Sequence, residues 1–159
     1  MSFLNKLFSK GSTQPQEPIF PGENFAILKL NMPDGLAFAT VNKAYKDYPN
    51  KAFYPFLVGI ELTVINKNEN GHPVDSEAGR LNQIQDEFEA FLRQKHTVHP
   101  VARVTRNGAQ DLLIYIDSPK LTQDELSTFC DGIQKERQMN FNIEKDPSWN
   151  AVSGLLNAS

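Results

Sequence analysis

The dipeptide Asn107-Gly108, set between alternating apolar runs at 98–106 and 110–117, constrains this chain more than any other feature. A two-residue hairpin turn needs positive φ at its centre, which Asn and Gly tolerate best, and such turns match the twist of antiparallel strands. A second turn signal, Met32-Pro-Asp-Gly35, separates the β-patterned runs 24–31 and 36–42. There, proline presets φ and glycine accepts a positive value. The run from Phe56 to Ile65 is apolar on both alternating faces, as expected of a central strand.

Elsewhere the apolar period changes from two residues to that of a helix. Leu81, Ile84, Phe88, Phe91 and Leu92 line one side of a long helix, with Asp75 or Ser76 as the expected cap. Thr122-x-x-Glu125 reads as a capping box ahead of a second stripe, Leu126, Phe129, Cys130 and Ile133. A short strand over 140–144 and a helical turn from Pro147 to Leu156, with Trp149, Val152 and Leu155 inward, complete the series. The order is β-β-β-α-β-β-α-β-α. Without its first hairpin it is the split βαββαβ pattern, so the expected fold is α+β: a ferredoxin-like antiparallel sheet with two main helices on one face, preceded by an N-terminal β-hairpin.

A chain of 159 residues with 40% apolar content suits one core. We assign it to residues 21–159, after an amphipathic arm and flexible linker over 1–20. In the arm, Phe3, Leu4, Leu7 and Phe8 sit at helical spacing, and 11–18 is polar with two prolines. A ten-residue helix is marginal alone. Three fates are open for it: a frayed tail, docking on a partner, or weak peripheral membrane contact through residues 1–10, to which Lys6 and Lys10 add little attraction. The polar stretch Asn66 to Pro73 is expected to be a mobile loop.

Charge and cysteine content narrow the setting. Sixteen basic and 19 acidic residues give a net charge of −3, without the positive excess that phosphate backbones attract, so nucleic acid is not an expected ligand. No 18-residue apolar run exists to span a membrane, and residues 1–10 lack the apolar core and cleavage site of a secretory signal. The single cysteine, Cys130, cannot form an internal disulfide, and a reducing cytoplasm is the simplest compartment.

Residue types that carry chemistry are present but not assembled. Neither a glycine-rich phosphate loop nor a nucleophile elbow occurs, and Cys130 falls on the apolar side of its helix, where a thiol is inert. His96-Thr-Val-His99 straddles a helix-to-strand junction without Cys or grouped carboxylates to complete a tetrahedron, so His96 reads as a helix cap and His99 as a surface residue. No catalytic, metal or cofactor site is therefore expected. Asp86, Glu87 and Glu89, like Asp124, Glu125 and Asp131, read as solvated helix surface, with an acidic docking face for a basic partner as the sharper alternative. Tyr45, Tyr48, Phe53, Tyr54 and Phe56 crowd into one segment outside any period. They either fold back as packing or form a contact surface of rigid aromatics.

Gly71-x-Pro73, the Leu81 to Leu92 stripe, Thr105-Arg-Asn-Gly108 with Asp111 and Tyr115, and Asp146-x-x-Trp149 with Leu155-Leu156 together resemble a known family. It is the bacterial domain-of-unknown-function family six hundred and ninety-five, and the resemblance spans about 24–156. That family is distantly similar to the regulator of ribonuclease activity B, an acidic inhibitor of an endoribonuclease, and related small domains look like immunity proteins. The resemblance implies a non-catalytic habit and supplies no active-site residue. The expected function is a cytoplasmic binding domain that regulates or inhibits another protein, such as a nuclease or toxin. Its contact residues are taken as Tyr45, Tyr48, Phe53, Tyr54, Asp86 and Glu89. The alternative is a small-molecule binder or an enzyme with an unrecognised polar site.

Overall fold

The computed structural model describes residues 13–118 and 123–159. The arm at 1–12 and Thr122 of the expected capping box lie outside them. Strands β1 (Phe25–Met32), β2 (Gly35–Asn42), β3 (Phe56–Thr63), β4 (Val98–Arg106), β5 (Ala109–Ile116) and β6 (Met139–Lys145) form one sheet, ordered β1-β2-β4-β5-β3-β6, in which every pair is antiparallel. Three α-helices accompany it among the described residues: α1 (Asp75–Arg93), α2 (Gln123–Gln134) and α3 (Asn150–Asn157). The protein is thus α+β, and both turn signals close hairpins, Met32 opposite Gly35 and Arg106 opposite Ala109. Gly108 takes φ +78 at its turn, a conformation that costs glycine little.

The pleat divides the core into two clusters. Val58, Ile60 and Leu62 of β3 with Leu112, Ile114 and Ile116 of β5 meet Leu81, Ile84, Phe88 and Leu92 of α1 and Leu126, Cys130 and Ile133 of α2. The neighbouring positions Leu57 and Tyr115 point the other way, to Tyr45, Tyr48, Tyr54, Trp149, Val152 and Leu156. This explains why β3 reads as apolar on both faces: each face has its own cover. Burial of the Cys130 side chain raises its thiol to about 12, with Asp131 adding to the shift.

Several local expectations give way to longer-range contacts. No side chain caps α1; Val74 stands at its N-cap position. Glu77 instead turns back to accept from the backbone N–H of Ile65 and of Asn66, the latter at 3.0 Å, so β3 ends at Thr63 and not at Ile65. The stretch 66–73 is tethered and not a free loop. Lys67 bridges Pro73, Asn68 accepts from the N–H of Asn70 and His72, and the His72 ring meets the Leu36 carbonyl at 2.8 Å. Gly71 lies so close to the β4–β5 turn that a Cβ there would collide with Asn107, and its carbonyl accepts from Gly108 N–H at 2.9 Å. At the other end, Asp146 caps α3: its carboxylate accepts from Asn150 N, Ala151 N and the Tyr115 hydroxyl, the last at 2.6 Å. Burial works against that charge, but these hydrogen bonds outweigh it and hold the carboxyl below its ordinary range.

Candidate functional site

The aromatic segment singled out in the sequence is brought together, but inside the protein. Tyr45, Tyr48 and Tyr54 are buried around His99, which is itself fully buried. Tyr45 hydroxyl lies 2.9 Å from His99 Nδ1, Tyr48 hydroxyl lies 3.5 Å from Nε2 and donates to the Ile19 carbonyl, and the Tyr54 ring centre is 4.1 Å from the imidazole. A neutral ring with its hydrogen on Nε2 satisfies this chain of contacts. Burial pushes His99 down to about 4, with Asp117 pulling weakly the other way, and burial likewise raises the tyrosines. The surface position expected for His99 is therefore corrected: β4 turns it onto the face that the tyrosines cover. Phe53 is half-buried beside the same cluster.

His99 makes stability depend on pH in a defined window. In the folded protein it resists protonation until about pH 4, whereas an unfolded histidine protonates near its ordinary 6.5, so acid favours unfolding as pH falls from about 6.5 to 4. The full shift corresponds to about 3 kcal/mol. Urea unfolding at stepped pH should show this loss in the wild type and a flatter profile in His99→Phe. Equal slopes would mean that His99 stays solvated.

His96, expected as a helix cap, lies three residues past the end of α1 and is also buried. Its Nδ1 lies 3.0 Å from Asp117, and Nε2 has no partner among the described residues. His96 and His99 thus hold different neighbours and do not face one ligand. Among the described residues no three His, Cys, Asp or Glu side chains are grouped to hold a metal ion.

The surface open to a partner lies where α1 fails to cover the sheet. One cross-strand row runs Ile27, Thr40, Arg103, Leu112, Ile60, Phe141. Its inner end is core under α1 and α2, while its outer end is bare: Ile27 is 74% exposed and Phe25, two residues earlier, 59%. Between the flank of α1 and this bare hairpin runs a groove of about 570 Å³. Its lining includes Phe20, Phe25, Gln85, Glu89, Arg93 and Arg103. Arg93 pairs with Glu89 at 3.1 Å, and Arg103 donates to Asn82 at 2.6 Å, so the basic side chains are held against α1.

Of the two carboxylates singled out, Glu89 therefore lines the groove, and Asp86 is exposed on the same helix. A second depression, about 470 Å³, lies on the opposite face with Glu61, Asp111 and Glu144 in its lining, but Arg106 bridges Glu61 and Asp111 and offsets their charge. Sequence reasoning missed Phe25, Ile27, Arg93 and Arg103. Their patterns are those of an ordinary strand and helix, and they form a surface only because, among the described residues, nothing covers this face of β1 and the outer part of β2. The available signal was Phe25 and Ile27 alternating with Lys29 on one face of a strand with few charges.

The family model described as Family of unknown function (DUF695) matches residues 24–155. No curated protein and no solved structure matches significantly. The matched span takes in all six strands, the two larger helices and most of α3, and on that match the chain belongs to the family of unknown function DUF695.

Proposed function

We propose that the protein is a non-catalytic, cytoplasmic binding domain of bacterial origin that regulates or inhibits another protein, in the manner of an immunity protein. The groove between α1 and the first hairpin is its contact surface. One observation carries this reading: two exposed aromatic side chains, Phe20 and Phe25, line the same groove as the charged residues Glu89, Arg93 and Arg103. Aromatic anchors beside arginine, ringed by polar groups, are the composition of protein-binding hot spots. A buried, unpaired thiol suits the reducing compartment.

The strand order β4-β5-β3-β6, with α1 and α2 contributing to one cluster, supports a ferredoxin-like reading of this part of the chain. Within this reading, the resemblance to the regulator of ribonuclease activity B makes a nuclease or toxin the class of partner, and the strand order alone does not choose one. The groove's volume is equally that of a small-molecule site, which makes small-molecule binding the second reading.

The test is recovery of the tagged chain at native expression level, wild type beside Glu89→Arg/Arg103→Glu. A protein partner should come down in stoichiometric amount with the wild type and fall at least about tenfold with the variant, since reversed charges at a contact cost well over 1 kcal/mol. Lys135→Glu, exposed after α2, should leave recovery unchanged. Recovery indifferent to the groove substitutions would remove the groove as the surface. Recovery of the chain alone, with a small molecule bound, would favour the second reading.

A further inference from the structure

The first strand ends the sheet, and it lacks most devices that keep a sheet edge from pairing. Natural edges are blunted by proline, bulges or several charges. β1 is eight residues long, pairs with β2 in unbroken register, contains no proline and carries one charge, Lys29. Its outward backbone can be assigned. Lys43 N–H donates to the Asn24 carbonyl at 2.8 Å, and bonded pairs alternate in an antiparallel ladder, so the even residues of β1 bond to β2. Phe25, Ile27, Lys29 and Asn31 therefore turn their N–H and C=O groups away from the sheet.

The side chains on this edge are complementary to themselves. Phe25, Ile27 and Lys29 alternate on one face of β1, and Glu23, two residues before the strand, lines the same groove as Phe25; all four are exposed, and neither Glu23 nor Lys29 has an ion-pair partner among the described residues. A twofold axis at Ala26, perpendicular to the strand, sets Phe25 of one copy opposite Ile27 of the other and Glu23 opposite Lys29. Both ends of the pairing thus match charge with opposite charge, its middle matches apolar with apolar, and the bonded backbone positions coincide. We propose that β1 is an interface for a second copy of this chain, joined antiparallel about Ala26 so that two six-stranded sheets become one continuous sheet. This goes beyond the partner reading and does not depend on it.

Sedimentation equilibrium of the full chain across about a hundredfold range of concentration tests the proposal. The wild type should populate a reversible dimer. Ile27→Pro removes an outward N–H while sparing the bonds to β2, and should be monomeric with an unchanged circular dichroism spectrum. Glu23→Lys or Lys29→Glu alone should weaken association at least about tenfold, and the two together should restore it to within about threefold of the wild type. A wild type that stays monomeric overturns the proposal, including the case in which only a chain lacking residues 1–12 dimerises, which would give the edge to that arm. A dimer that survives Ile27→Pro, or that the paired charge swap does not restore, overturns it as well.

Discussion

Replacing Arg137 with methionine is expected to lower the unfolding free energy by about 3–5 kcal/mol, the usual cost of stripping a buried carboxylate of its partner. Arg137 and Glu77 are both buried, at 6% and 3% exposure. Arg137 donates to Glu77 at 2.9 and 3.2 Å and to the Thr63 carbonyl at 2.9 Å, while Glu77 also takes the Ile65 and Asn66 N–H groups. The pair therefore ties together the end of β3, the first turn of α1 and the segment after α2. Burial works against the Glu77 charge, but Arg137 and the two backbone donors hold its carboxyl below the ordinary range.

The single substitution leaves that carboxylate in a low-dielectric site with only the backbone donors. Adding Glu77→Leu removes the stranded charge and should recover part of the loss, a coupling measurable by urea unfolding in a double-mutant cycle. Additive losses would mean that solvent reaches the pair. The contribution also has a sign with pH: it is fully present above the ordinary glutamate range, near 4.5, and is lost as acid protonates Glu77 in the folded state.

The second large effect is expected at Trp149. Its side chain is fully buried, stacks on Tyr115 with ring centres 4.2 Å apart, and donates from Nε1 to the Tyr54 carbonyl at 2.9 Å. Its backbone sits at φ 57, a left-handed conformation that a side-chain-bearing residue adopts only where its surroundings over-determine it. Here the ring is the anchor, and the strain is the consequence of placing it between β5 and the tyrosines. Truncation to alanine keeps the strained backbone and loses the packing, so Trp149→Ala should cost about 3–5 kcal/mol. In a chain of this size that is a fall in Tm of roughly 6–20 °C, followed by circular dichroism. A fall of only a degree or two would show that the second cluster does not hold α3.

How far the sequence carries depends on the range of each interaction. The Asn107-Gly108 turn, the Pro33-Asp34-Gly35 turn and the stripe from Leu81 to Leu92 are local, and their elements lie within a residue or two of where periodicity puts them. The Glu77–Arg137 pair joins residues 60 positions apart and leaves no periodic trace; Glu77 reads as one more polar residue in a first helical turn. The Tyr45 to Phe56 segment shows the same limit. Composition reveals its aromatics, but whether they face water depends on His99, Ile19 and Trp149, from three other parts of the chain.

For the candidate surface the outcome is mixed. Glu89 lines the groove, and Asp86 is exposed on the same helix. Three of the four aromatic residues named with them are core. Exposure of Phe25 and Ile27 leaves only a faint trace in the sequence, because it follows from where α1 stops covering the sheet, which strand order sets and strand pattern does not.

The most direct test is amide hydrogen exchange on the free chain and on its co-purified complex. Exchange is expected to slow in the complex over 20–27 and 85–93, on the two walls of the groove, with β5 and β6 unchanged. Protection confined to 139–157, or an unaltered pattern along both groove walls, would contradict the groove as the contact surface.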